Sequence, residues 1–204
     1  MPLQLYEKEE ILDACFTAFA QNGYEQTSTA MLAQSAGVSK ALLFHHFGSK
    51  KELYLQVLDR LFERGKREMG FDTISERESF FEAREKASIA KLDYHKRNPG
   101  VYKFWKEAFY ETPDGLKEEI DAKYGALMAV REKERQKSFD RVSLRPGVDR
   151  DQAFKLVKLA LDYFDDKYLA ELADKDELSE EHMKKFMEER NSFLSMIRYG
   201  IEEQ

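Results

Sequence analysis

Cysteine occurs once in these 204 residues, proline four times and tryptophan once. The lone Cys15 closes no internal disulfide and forms no Cys-x-x-Cys pair, which excludes a disulfide scaffold and a thiolate zinc site. It falls among Ile11, Leu12, Phe16 and Phe19 on one helical face and is expected to be core. No apolar run approaches the length of about 18 residues that a membrane span needs. The opening MPLQLYEKEEIL has no basic start, apolar stretch or small-residue cleavage site, so a cytoplasmic location is expected.

The usual marks of catalysis are missing as well. There is no Gly-rich phosphate loop and no G-x-S-x-G elbow. None of His45, His46, His95 and His182 has a Glu three residues before it or a His four residues away, so helical zinc and di-iron patterns are absent. Asp162, Asp165 and Asp166 form one carboxylate cluster, which a solvated helix face explains. The sequence therefore argues against an enzyme and calls for no metal and no cofactor.

What is present is helical. Apolar residues recur at three- and four-residue intervals almost throughout, and no β alternation or hairpin dipeptide appears, so the fold is expected to be all-α. The first helix is expected from about Lys8 to Gln21, ending at Asn22-Gly23. A second starts near Ser28 and buries Leu32, Ala33 and Ala36; Gly37 fits a tight turn needing positive φ, and Ser39 caps a third helix that runs to about Phe47. Gly48-Ser49 ends it and caps a fourth, whose Tyr54, Val57, Leu58, Leu61 and Phe62 share one face.

Beyond Gly70, helices are expected near Ser75 to Lys96, Gly100 to Tyr110, Leu116 to Phe139, Asp149 to Ala173 and Ser179 to Glu202. The breaks between the first three and between the third and fourth fall at Asn98-Pro99, Thr112-Pro113-Asp114-Gly115 and Arg145-Pro146-Gly147. The helix from Asp149 to Ala173 is apolar on more than one side, with Phe154, Leu161 and Tyr168 among its residues, and must be covered on two faces. The last helix repeats Met183, Phe186, Met187, Leu194, Ile197 and Ile201. Together the two are expected to form a two-fold, four-helix interface of a homodimer.

Charge singles out one segment. The chain carries a net charge of −6, which disfavours nucleic acid in general. From Val38 to Lys51, however, the charged residues are Lys40, Lys50 and Lys51, with His45 and His46 beside them and no acid. Two short helices joined by Ala36-Gly37-Val38-Ser39 have the spacing that holds a recognition helix across a supporting one, and the partner to which this points is duplex DNA.

The order Gly23-Tyr24, Thr27-Ser28, Leu32-Ala33, Ala36-Gly37-Val38-Ser39-Lys40, Leu43-Phe44, His46-Phe47, Ser49-Lys50 and Leu53 resembles the DNA-binding domain of the TetR family of transcriptional regulators. The resemblance implies a helix-turn-helix domain at residues 1–48 and, at residues 49–204, a helical bundle that binds an effector and dimerises. It implies a ligand-responsive regulator, in most cases a repressor, that binds a palindromic double-stranded DNA operator as a homodimer. Carried over by position, the DNA-facing residues are Thr29, Ala30, Lys40, Ala41, Leu42, Phe44 and His46, with Lys50 on a phosphate; Ser28 and Ser39 are placed for backbone contacts at helix N-termini. Ala41 and Leu42 stand where the family commonly has Gly and Thr. Phe44 replaces a Tyr and lacks the hydroxyl that would donate to a phosphate.

A small-molecule effector is expected to be apolar or aromatic, in a cavity lined by Tyr102, Trp105, Phe109, Tyr124, Met128 and Phe164. The reading from another class is a helical ligand-binding or adaptor protein that no longer binds DNA, which the net negative charge and the Leu42 and Phe44 departures favour.

Overall fold

A computed structural model describes residues 5–69, 78–98, 100–174 and 179–202. Within them the chain forms α1 (Leu5–Gln26), α2 (Thr29–Ser35), α3 (Lys40–Phe47), α4 (Lys50–Glu68), α5 (Phe80–Arg97), α6 (Val101–Phe109), a short 3-10 turn (Asp114–Leu116), α7 (Lys117–Asp140), α8 (Arg150–Asp174) and α9 (Glu180–Ile201). No strand and no helix able to cross a membrane occurs among the described residues. The all-α expectation holds, and helix ends fall within a few residues of those read from the sequence. The start expected at Ser75 lies outside the described residues.

Two compact units divide the chain. The first comprises residues 1–68 and 98–126, so it is larger than the 1–48 segment suggested by the motif. The enlargement follows from α4, which turns its apolar face back onto α1: Leu53, Tyr54, Val57, Leu58 and Leu61 are all buried, as are Ile11, Cys15, Ala18 and Phe19 opposite. α6 adds Val101, Phe104 and Ala108 to the same core. The rings of Phe19 and Phe104 lie 5.0 and 4.6 Å from that of Tyr54, and Tyr24 closes the cluster at 5.1 Å.

The expected end of the first helix appears as a break inside α1. Gly23 adopts φ 75° and ψ 169°, and a helical path resumes only briefly to Gln26. Glycine is favoured there because the φ is left-handed, and a Cβ would also displace Glu107 Oε1, which would lie 2.9 Å from it. Thr27 Oγ1 fixes the exit by donating to the Gly23 carbonyl at 2.6 Å.

The second unit comprises residues 69–97 and 127–204, with α7 passing from one unit to the other at Ala126. Its core contains Phe80, Phe139, Val142, Phe154, Val157, Leu161 and Ile201. Arg150 caps the end of α7 by donating to the carbonyls of Phe139 and Val142 at 3.1 and 3.0 Å. At the starts of α5 and α9, Ser79 and Ser179 accept from the backbone of Glu82 and His182.

Candidate nucleic-acid interface

The α2-turn-α3 segment is held by its own backbone. Ser28 Oγ accepts from Met31 N and Ser39 Oγ from Leu42 N, both at 3.1 Å, so each serine caps its helix. Between the helices, Gly37 N donates to Gln34 O and Val38 N to Ala33 O, both at 3.1 Å, with Gly37 at φ 64°. A β-carbon at Gly37 would meet nothing within 4 Å, so the glycine serves the turn's backbone conformation and not a close contact.

From the other side α3, with Leu43 and Phe47 both buried, packs against α2 and α4. Ser49 and Glu52 exchange bonds of 2.7 and 3.1 Å at the start of α4, a reciprocal cap that fixes where α3 ends. With one face buried, α3 leaves Lys40, Ala41 and His45 exposed and Leu42, Phe44 and His46 half-buried. Thr29 is half-buried and Ala30 exposed on α2.

The basic residues are not equivalent. Lys40 makes no ion pair among the described residues and stands exposed at the first position of α3. Lys50 is held: its Nζ lies 4.3 Å from the centre of the Tyr24 ring and donates to the Glu25 carbonyl at 3.4 Å. Lys51 pairs with Glu119 and is spoken for. Tyr24 is in turn tied to α6, because its N–H donates to Glu107 Oε1 at 2.7 Å while Tyr54 Oη donates to Glu107 Oε2 at 3.1 Å. Burial, reinforced by the neighbouring carboxylates of Glu25 and Glu107 respectively, raises the Tyr24 and Tyr54 phenols above their ordinary range, so both remain donors. Nothing in the local sequence signals Glu107; only the fold brings it to Gly23, Tyr24 and Tyr54.

Residues 11–57 match the family described as bacterial regulatory proteins, tetR family. By this match the N-terminal segment is similar to the tetR family. Over 56 residues it is 38% identical to the biofilm operon icaADBC HTH-type negative transcriptional regulator IcaR of Staphylococcus aureus, covering 28% of this chain and 30% of that one. Over 50 residues it is 40% identical to the HTH-type transcriptional repressor AcnR of Corynebacterium efficiens, covering 24% and 27%. The matched segment thus spans less than a third of either relative. Among solved structures, the chain superposes on MexZ, a repressor responsible for antibiotic resistance in Pseudomonas aeruginosa, with a TM-score of 0.72 at 19% identity, covering 95% of this chain and 96% of that one. It superposes on FadR of Bacillus subtilis, solved with stearoyl-CoA, with a TM-score of 0.61 at 16% identity, covering 93% and 97%. Those likenesses show a shared all-helical fold along most of the chain.

The residues expected to bind an effector fall in both units. Tyr102, Trp105, Phe109 and Tyr124 belong to the first, Met128 and Phe164 to the second. Tyr124 is buried, packs against Phe62 and Phe109 at 5.0 and 5.4 Å, and hydrogen-bonds Asp59. Phe164 is buried among Phe186, Phe193 and Tyr163, and Met128 is exposed.

The residues expected at the dimer interface differ in burial within a single chain. Phe154, Leu161, Tyr168, Phe186 and Ile201 are buried inside the second unit of a single chain, and Met183, Met187, Leu194 and Ile197 are half-buried. The large apolar residues left outside are Leu156, Leu159 and Tyr163 on α8 and Phe193, Met196 and Tyr199 on α9, with exposures of 44 to 68%. α8 has two apolar faces, and its periodicity could not tell which one the chain itself would cover.

Proposed function

We propose that the chain is a transcriptional regulator that binds a two-fold-related DNA operator as a homodimer and is released by a small effector. The observation that carries the reading is α3: an eight-residue helix capped by Ser39, buried on one side through Leu43 and Phe47, with its other side free of acids and led by Lys40. A helix so presented fits the major groove, where Lys40 reaches a guanine edge or a phosphate and Leu42 a thymine methyl. His46 and Phe44 lie on the flank, Thr29, Ala30 and Ala41 allow close approach, and Lys50 takes a phosphate from its perch over Tyr24. The hydroxyls of Ser28 and Ser39 accept within their caps and keep their own protons for phosphate oxygens.

Dimerisation rests on the exposed apolar residues of α8 and α9, which water covers poorly in a single chain. Two-fold pairing would set the recognition helices for half-sites about 34 to 36 Å apart. Repression is supported by IcaR, AcnR and MexZ, each described as a repressor or negative regulator, and an effector by FadR, solved with stearoyl-CoA.

Fluorescence anisotropy with the DNA upstream of the chain's own gene, at two salt concentrations and against a scrambled duplex, tests the reading. Lys50→Ala is expected to weaken binding to all duplexes and flatten the salt slope, and Lys40→Ala to change sequence preference as well. Unchanged DNA retention in both variants would overturn the contact assignment.

A further inference from the structure

We infer that the second unit holds a binding site for a small amphipathic oxyanion, a carboxylate or phosphate head on an apolar body, built on Arg190 of α9 and Arg84 of α5. The inference rests on the effector reading above and gives that effector a charge. Arg190 is fully buried. Its guanidinium donates to Ser88 Oγ at 2.8 Å and to Asn191 Oδ1 at 3.0 Å, both neutral, while its Nε is buried with no acceptor. Among the described residues no carboxylate stands at ion-pair distance from it. A charge withdrawn from water in this way is tolerated where an opposite charge joins it.

One turn before Ser88 on α5 lies Arg84, whose Nε is also buried without an acceptor. Burial, with the positive charge of Arg135 of α7, depresses its guanidinium below the ordinary range against the opposing charge of Asp165. The carboxylates nearby are already engaged. Asp165 accepts from Lys91 at 3.0 Å and Ser88 at 3.4 Å; Glu132 serves Lys158 at 2.8 Å and Arg135 at 3.3 Å; Glu85 holds Asn191 at 2.8 Å. Asp162, the remaining acid, has its carboxyl pKa raised by burial. Four helices therefore gather cations, and the guanidiniums of Arg84, Arg135 and Arg190 each keep a buried Nε without an acceptor.

The surroundings give the ligand its apolar part. Phe186, Arg190 and Phe193 fall on one face of α9, and both rings pack against Phe164, at 5.9 and 5.6 Å. Tyr168, fully buried with its hydroxyl unpartnered, packs against Phe186 at 4.9 Å. A buried guanidinium fork on a helix face shared with aromatic side chains matches a planar carboxylate or a phosphate and offers nothing to a cation.

The test is thermal unfolding of the full chain with decanoate, decyl phosphate and, as the uncharged control, decanol. Decanoate or decyl phosphate is expected to raise Tm by about 5–10 °C at a hundredfold excess over Kd, and decanol to do less; whichever of the two acts identifies the head group. Arg190→Met is expected to raise the Tm of the ligand-free protein, because it removes a buried charge that Asp165 and Glu85 offset only without an ion pair, and to abolish the anion-dependent rise. Arg84→Gln, at a half-buried position, is expected to weaken anion binding at least about tenfold. A fall in Tm for Arg190→Met, with no anion shifting the wild type beyond decanol, would overturn the site. Arg190-dependent anion binding that leaves DNA affinity unchanged would uphold the site and refute the effector reading.

Discussion

Glu107 on α6 is expected to be a principal tie holding the helix-turn-helix to the rest of its unit, and Glu107→Ala tests this. The substitution strips an acceptor from two donors at once: the Tyr24 N–H, which follows the Gly23 break, and the Tyr54 hydroxyl, whose residue is fully buried. Each donor left unsatisfied costs about 1–3 kcal/mol, the half-buried Tyr24 amide toward the lower end, so the sum is about 2–4 kcal/mol. For a chain of 204 residues this corresponds to a fall in Tm of about 4–16 °C. The assay is urea unfolding followed by the emission of Trp105, the single tryptophan, which lies on α6 itself.

Two companion variants separate this account from simple loss of packing. Tyr54→Phe removes one of the two bonds and should cost about 0.5–1.5 kcal/mol. In that background Glu107→Ala should cost less than it does alone, by a coupling of about 0.5–3 kcal/mol. Glu107→Gln should retain most of the stability, since its amide oxygen still accepts from Tyr24 and the Tyr54 hydroxyl can turn to accept from its nitrogen. Additive single costs, or a Glu107→Ala protein as stable as the wild type, would refute the reasoning.

Other expectations follow from burial. Leu43→Ala, at a fully buried site beneath the recognition helix, should cost about 2–5 kcal/mol in urea unfolding and abolish sequence-specific DNA retention. His95 has its pKa lowered to about 3 by burial and by the charge of Lys91. The folded chain thus holds fewer protons than the unfolded one between that value and the ordinary 6.5, so its stability is intact above pH 6.5 and declines as pH falls, by up to about 1.4 kcal/mol per pH unit. Urea midpoints measured between pH 7 and 5 should fall less steeply in His95→Leu; identical slopes would dismiss the histidine. Burial pushes the Cys15 thiol up to about 12, so a thiol-specific chromogenic reagent at pH 8 should modify it only after denaturant is added. Leu159→Glu, on the exposed face of α8, should leave a monomer by light scattering, whereas an unchanged dimer would place the interface elsewhere.

Much of the first unit could be read from local pattern. Ser28 and Ser39 precede short apolar-periodic segments and do cap them; Leu43 and Phe47, four apart, do face inward; and the α4 stripe is buried. Each of these is a contact within a few residues, or a face set by helical repeat, which is the range over which sequence spacing and geometry are locked together. The same locking explains why Gly23 and Gly37 were legible as backbone positions before any φ was known.

What escaped the sequence were relations between distant residues. Glu107 lies 83 positions from Tyr24 and 53 from Tyr54, and as one charged residue on an amphipathic helix it carried no distinguishing pattern. Arg190 has no distinguishing pattern in the sequence and is fully buried against Ser88, 102 positions away. On α8, both apolar faces satisfied the helical repeat, and packing against α5 and α9 in the second unit decided that Phe154, Leu161 and Tyr168 turn inward and Leu156, Leu159 and Tyr163 outward. The sequence by itself determined the helices, their caps and the charge of the recognition segment, because those depend on neighbours along the chain. The tertiary structure alone decided which apolar face is core, which polar side chains are buried and which distant donors meet an acceptor, because burial is a property of what the rest of the chain covers.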